Sequence, residues 1–233
     1  MVVALLPVLG DGDITLVELV SSYVLVLFSV GAFLYGLLLL VADLTVPKLL
    51  LLGAVVGAAG MAATYLGGRP EELMEGPTVR PLALLFLADI VRVVAAACVG
   101  LALARRVTST RIALLVAALV TAADLFSVFA GPTKALVESG APALDYLLLI
   151  FPTFGYPLGF ALGLSDFVFL ALFTALARSL EGLHPLPTLI LGFVAVILAM
   201  LAGILFARPL PALPFISLAF ALANATSLYK SFI

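Results

Sequence analysis

The sequence has very little charge. Only 10% of its 233 residues are Asp, Glu, Lys or Arg, and 65% are hydrophobic. Soluble domains carry about 25% charged residues, so a water-facing globular fold is excluded. There is no Trp, and there is one His and one Cys. A single cysteine makes no internal disulfide, and Cys98 with His184 falls short of a zinc or thiolate metal site. Cys98 lies in an apolar run and reads as a buried structural thiol. No basic surplus exists either, and the net charge of −2 argues against a nucleic-acid partner. Residues 1–10 lack the basic stretch of a signal peptide, so no cleaved leader is expected. No polar stretch is long enough for a separate soluble domain, and no internal repeat is visible.

What fills the chain instead is apolar runs near the ~20 residues that span a bilayer. They predict an all-α, multi-pass integral membrane protein with about seven transmembrane helices. The expected spans are 14–41, 48–66, 81–104, 111–130, 157–177, 186–206 and 214–229. Proline, paired glycines and arginines punctuate them: Pro47, Gly67-Gly68, Arg105-Arg106 and Gly131-Pro132. Residues 131–156 are interrupted by Gly and Pro, and the apolar piece 146–151 is too short to span. It reads as a short strand or an interfacial turn. The chain divides into residues 1–110, with about three spans, and residues 111–233, with about four, within one integrated membrane domain.

Two aspartates stand inside consecutive apolar runs, Asp124 and Asp166. A carboxylate in lipid is costly, so each is a functional-site candidate. Two carboxyls held close do not both ionise, and such a pair shares one proton. Asp124 precedes its helix end by about seven residues, and Asp166 follows its expected helix start by about nine; at ~1.5 Å per residue both lie roughly 10–13 Å from one membrane face. Gly155, Gly159 and Gly163 recur every fourth residue before Asp166. On a helix they form a small-residue face that permits close approach, or they serve ordinary packing. Arg208-Pro209-Leu210-Pro211-Ala212-Leu213-Pro214 holds three prolines and is not regular helix. It is either a rigid turn before a helix or an irregular wall beside a site.

These places together resemble one family. Ala123-Asp124-Leu125-Phe126-Ser127-Val128-Phe129 resembles the first-aspartate motif of presenilins and signal peptide peptidases. Leu162-Gly163-Leu164-Ser165-Asp166-Phe167-Val168-Phe169 resembles their Gly-x-Gly-Asp helix. Pro211-Ala212-Leu213 resembles their Pro-Ala-Leu motif. Ala123 replaces the usual Tyr, and Ser165 replaces the usual Gly before the second Asp. The resemblance spans residues 121–229 and implies an intramembrane aspartyl protease. It implies Asp124 and Asp166 as the catalytic pair, with substrate held by Gly163, Ser165, Pro211, Ala212 and Leu213. Partners would be transmembrane helices of substrate proteins within the lipid bilayer. No metal or cofactor is implied.

Other readings stay open on the residues alone. Asp89 and Arg92 lie three apart, so they form an ion pair on one helix face or serve transport. A proton- or ion-coupled transporter would use the same buried charges. A catalytically inactive relative of the protease family would keep the aspartates for structure. Asn224 and Thr226 read as interhelical hydrogen-bond partners.

Overall fold

Apolar runs closed by Gly, Pro and Arg fold as helices because only paired backbone is tolerated in lipid. The computed structural model describes residues 2–3, 16–67, 79–139, 144–153, 156–206 and 210–230. Its elements in chain order are β1 (Val2–Val3), α1 (Leu16–Leu40), α2 (Val46–Gly67), α3 (Val79–Ala104), α4 (Thr110–Phe129), α5 (Pro132–Ser139) and α6 (Leu144–Leu147). Then come β2 (Leu148–Thr153), β3 (Tyr156–Gly163), α7 (Leu164–Ser179), α8 (Pro185–Leu205), α9 (Leu213–Ala223) and α10 (Ala225–Lys230).

Among the described residues, four stretches are long and apolar enough to cross a membrane: Val46–Leu66, Phe86–Ala104, Thr110–Leu136 and Pro185–Gly203. The chain therefore has the build of an all-α, multi-pass membrane protein. Large apolar side chains stand exposed on α4, including Leu115, Leu119 and Phe126, as a lipid-facing helix requires.

The expected count of about seven full-length spans needs correction. α1 (Leu16–Leu40) follows the first expected run, whereas Leu213–Ala223 is a shorter apolar helix, and α9 breaks at Asn224 before α10. The larger departure is at residues 157–177. Tyr156–Gly163 is a strand, and the helix begins only at Leu164. Its 16 residues reach about 24 Å at the helical rise, short of the ~30 Å hydrocarbon core. Pro157 and Gly159 disfavour helix, and a partner strand satisfies the backbone instead. Gly159 and Gly163 therefore lie on a strand and form no helix-packing face; Gly155 lies outside the described residues. The piece at 146–151 resolves into the end of α6 and the start of β2.

The small sheet has the order β1-β3-β2, so β3 is its middle strand. Both pairings are antiparallel: Leu148 lies opposite Gly163 and Leu149 opposite Leu162, while Val2 takes the other edge of β3 at Leu162.

The core gathers around α3 and α7. From Leu170 to Ala177 every residue of α7 is buried. It packs on α3, α8 and α9, and Phe173 stacks on Phe220 of α9 with ring centroids 4.8 Å apart. α3 approaches α7 closely at Gly100. A Cβ there would meet Ala171 Cβ at 2.8 Å and Leu172 N at 2.9 Å, and would press on the Val168 carbonyl. Two of these neighbours are backbone and cannot swing aside. Gly100→Ala is therefore expected to destabilise the purified protein by about 1–3 kcal/mol through overpacking. A thermal midpoint unchanged from the parent in the same detergent would contradict that contact.

At one end of the bundle, Arg105 donates to the carbonyls of Ala42 and Leu44. It thereby satisfies the tight α1–α2 connection, whose carbonyls have left the helical ladder.

Candidate active site

Asp124 lies on α4, half-buried, near the end of the helix. Its Oδ2 accepts the Leu213 N–H at 3.0 Å, and the Ala212 backbone N–H adds a second hydrogen bond. The donors exist for a simple reason. Ala212 is the N-cap of α9, and its short side chain supplies no cap. The first N–H groups of α9 thus have no acceptor within their own helix. A carboxylate from α4 takes that place, where the helix dipole also favours an anion. Pro214 near the start of α9 costs nothing, since its missing N–H would be unpaired there. Pro211, Ala212 and Leu213 are all buried.

Asp166 is also at a helix start. It is the third residue of α7 and only 2% exposed. Its Oδ2 accepts the N–H of Gly163, the N-cap, at 3.2 Å. This is the acidic half of a capping box, the glycine having no side chain to complete it. Leu162, Phe167, Leu170, Phe193 and Val196 line a small pocket against the carboxyl. Gly163 has φ −65° and ψ 136°, an extended conformation open to other residues. What it supplies to Asp166 is its N–H, at the junction of β3 and α7.

α9 is the element that links the two carboxyls. α4 and α7 share no extensive contact among the described residues; α9 packs against both. Ser217 of α9 donates to the Ala117 carbonyl at 3.3 Å, two turns before Asp124, and so fixes α9 against α4. The expected depth of Asp166, about nine residues into its helix, is corrected to the first helical turn.

Comparison with known proteins does not extend these motifs. No protein-family model matches the chain, and no curated protein or solved structure is significantly similar to it.

The remaining sequence-selected residues are placed as follows. Ser165 is exposed beside the buried Asp166, and its hydroxyl makes no hydrogen bond among the described residues. Ser165→Gly is thus expected to leave turnover within about twofold, because an exposed first-turn side chain contributes only a few tenths of a kcal/mol. Side-by-side assays in matched detergent check this; a large loss at equal thermal stability would give the hydroxyl a role. Asn224 bridges helices: its Nδ2 donates to Thr188 Oγ1 at 2.8 Å and to the Phe220 carbonyl at 2.9 Å, and its Oδ1 accepts the His184 N–H at 2.7 Å. Thr226 is exposed.

Sequence reasoning missed Ser217 and the helix-start role of Asp166. The second carried a readable signal. Gly163 followed three residues later by an acid, just before an apolar run, is the pattern of a helix N-terminus.

Proposed function

We propose that this chain is an intramembrane aspartyl protease that hydrolyses peptide bonds within transmembrane segments, using Asp124 and Asp166 as one dyad. The observation that carries the reading is the convergence of three separated pieces. Asp124 on α4 and Asp166 on α7 are bridged by α9, which packs against both helices, and the Pro211-Ala212-Leu213 backbone is hydrogen-bonded directly to Asp124. Three motifs in family order add to it.

In this reaction one carboxyl is ionised and takes a proton from water. The water oxygen bonds to the scissile carbonyl carbon. The other carboxyl, protonated, gives its proton to the carbonyl oxygen. Collapse of the tetrahedral adduct breaks the C–N bond, and the amine leaves with a proton from the dyad. The roles belong to the pair and are not divided between its members. α9 supplies rigidity, since its N-terminus is bound to Asp124 while its body packs on α7. A fixed dyad geometry is what lowers the entropic part of the barrier.

The direct test is incubation of the purified protein with a transmembrane peptide in detergent containing ¹⁸O-water. Cleavage within the apolar segment, with one ¹⁸O in the new carboxyl terminus, is expected. Intact peptide across a panel of such segments would overturn the proposal.

One observation favours a second reading. Both aspartates cap helix N-termini, Asp166 its own and Asp124 that of α9. A catalytically inactive relative would need them for nothing else. The substitutions argued in the Discussion separate the two readings. The transporter reading gains no such support, because Arg92 is engaged with the hairpin backbone.

A further inference from the structure

Asp89 and Arg92 are each 3% exposed, in the middle of α3. Arg92 Nη2 lies 2.9 Å from Asp89 Oδ1. Such a pair is poor evidence for stability. Taking both charges out of water is costly, and apolar replacements are often neutral. In a membrane segment the cost is harder to justify by packing alone. The guanidinium is not spent on Asp89, however. Its Nη1 donates to the carbonyl of Leu148 at 2.8 Å, 56 positions away. Leu148 is the first residue of β2 and lies opposite Gly163 in the ladder. Gly163 is the residue whose N–H holds Asp166 Oδ2. One cross-strand step therefore separates the guanidinium from the cap of Asp166. α2 leaves room for this arm: a Cβ on Gly60 would sit 2.9 Å from Arg92 Cγ.

We propose that Arg92, oriented by Asp89, is a positioning residue: it anchors β2 opposite Gly163 and so fixes where the Asp166 carboxyl sits. The proposal rests on the protease reading for its kinetic consequence, but not for its structural one. Arg92 touches no reacting atom. It acts through Leu148 and Gly163. A planar fork suits the task, because Nη1 and Nη2 reach the carbonyl and the carboxylate at fixed relative positions. Lys offers a single nitrogen and cannot reproduce both directions.

The experiment uses the full chain in detergent with Arg92→Met and Arg92→Lys. Two quantities are read: amide hydrogen exchange at Gly163, and kcat and KM on a transmembrane reporter peptide. In Arg92→Met, exchange at Gly163 is expected to rise about tenfold while residues 170–177 keep their protection, since only the local opening changes. kcat is expected to fall by about 10²-fold with KM near the parent value, the signature of a misplaced reacting group. Arg92→Lys is expected to lie between Met and parent in both readouts. If the Met variant does not fold, the Lys variant decides alone: it shows faster Gly163 exchange and lower kcat, or the proposal fails. Unchanged Gly163 exchange in either folded variant overturns it. So does a parent-like kcat per folded molecule. If Gly163 exchange responds while the parent protein cleaves nothing in an Asp124-dependent way, the anchoring stands and the protease reading falls.

Discussion

Asp124→Asn and Asp166→Asn are each expected to abolish reporter cleavage while leaving the thermal midpoint close to that of the parent. The reason lies in what an amide keeps and loses. The Asn oxygen still accepts, so Leu213 N–H retains its partner at position 124 and Gly163 N–H at position 166. The amide neither takes a proton from water nor delivers one to a carbonyl. A dyad acts as one unit, so the double Asn variant is expected to be no worse than either single one. Alanine behaves differently. Asp124→Ala also strips the acceptor from the start of α9, and the loss of such a cap costs about 1 kcal/mol. Asn and Ala thus share the loss of activity and part company on stability. Turnover and thermal unfolding, measured on the same samples, provide the check. Full activity in either Asn variant would leave the aspartates as helix caps and end the protease reading.

The largest effect on stability is expected from Asn224→Ala. The side chain is fully buried and makes three hydrogen bonds, to His184, Thr188 and Phe220. Thr188 also back-bonds to the His184 carbonyl at 2.7 Å, so one amide organises the whole turn entering α8. Alanine leaves the His184 N–H without this acceptor and opens a void among α8, α9 and the turn. The unsatisfied donor and the void together are expected to cost about 2–4 kcal/mol. The thermal midpoint falls, and turnover per folded molecule stays near the parent value, because Asn224 is at the opposite end of α9 from Leu213. A loss confined to turnover, with stability intact, would place Asn224 in the chemistry.

Much of the helical frame was legible in the sequence. The runs 48–66, 81–104, 111–130 and 186–206 correspond closely to α2, α3, α4 and α8. Each is bounded by residues that start or stop a helix for a local reason: Pro47 and Pro185 in the first turns of α2 and α8, Arg105-Arg106 after α3, and Gly131-Pro132 after α4. The failure at 156–163 has a local reason too. Pro157 and Gly159 weigh against helix there, but the apolar residues around them carry no periodicity that separates a buried strand from a buried helix. What decides it is pairing with Leu148–Thr153 and Val2–Val3, which composition does not encode. The candidate site divides the same way. The carboxylates themselves stand out as charges in apolar surroundings. The bond from Leu213 to Asp124 joins positions 89 apart and has no local trace. Arg92 looked self-sufficient with Asp89 three residues away; only the fold shows its distant partner, the Leu148 carbonyl.

The middle position of β3 sets a condition of entry. β2 occupies one side of it, and on the other side, among the described residues, Val3 and Val2 pair with Ala161 and Leu162. Those are the last rungs before the cap of Asp166. An incoming polypeptide that unwound and zipped onto β3 from Tyr156 would advance without competition from β1 until it reached them. There it must exchange places with the chain's own amino-terminal strand, whose two-residue grip is far weaker than a full-length one. Under the proposed protease reading, arrival at the carboxylate becomes a strand-exchange reaction whose threshold is set by residues more than 150 positions upstream of Asp166.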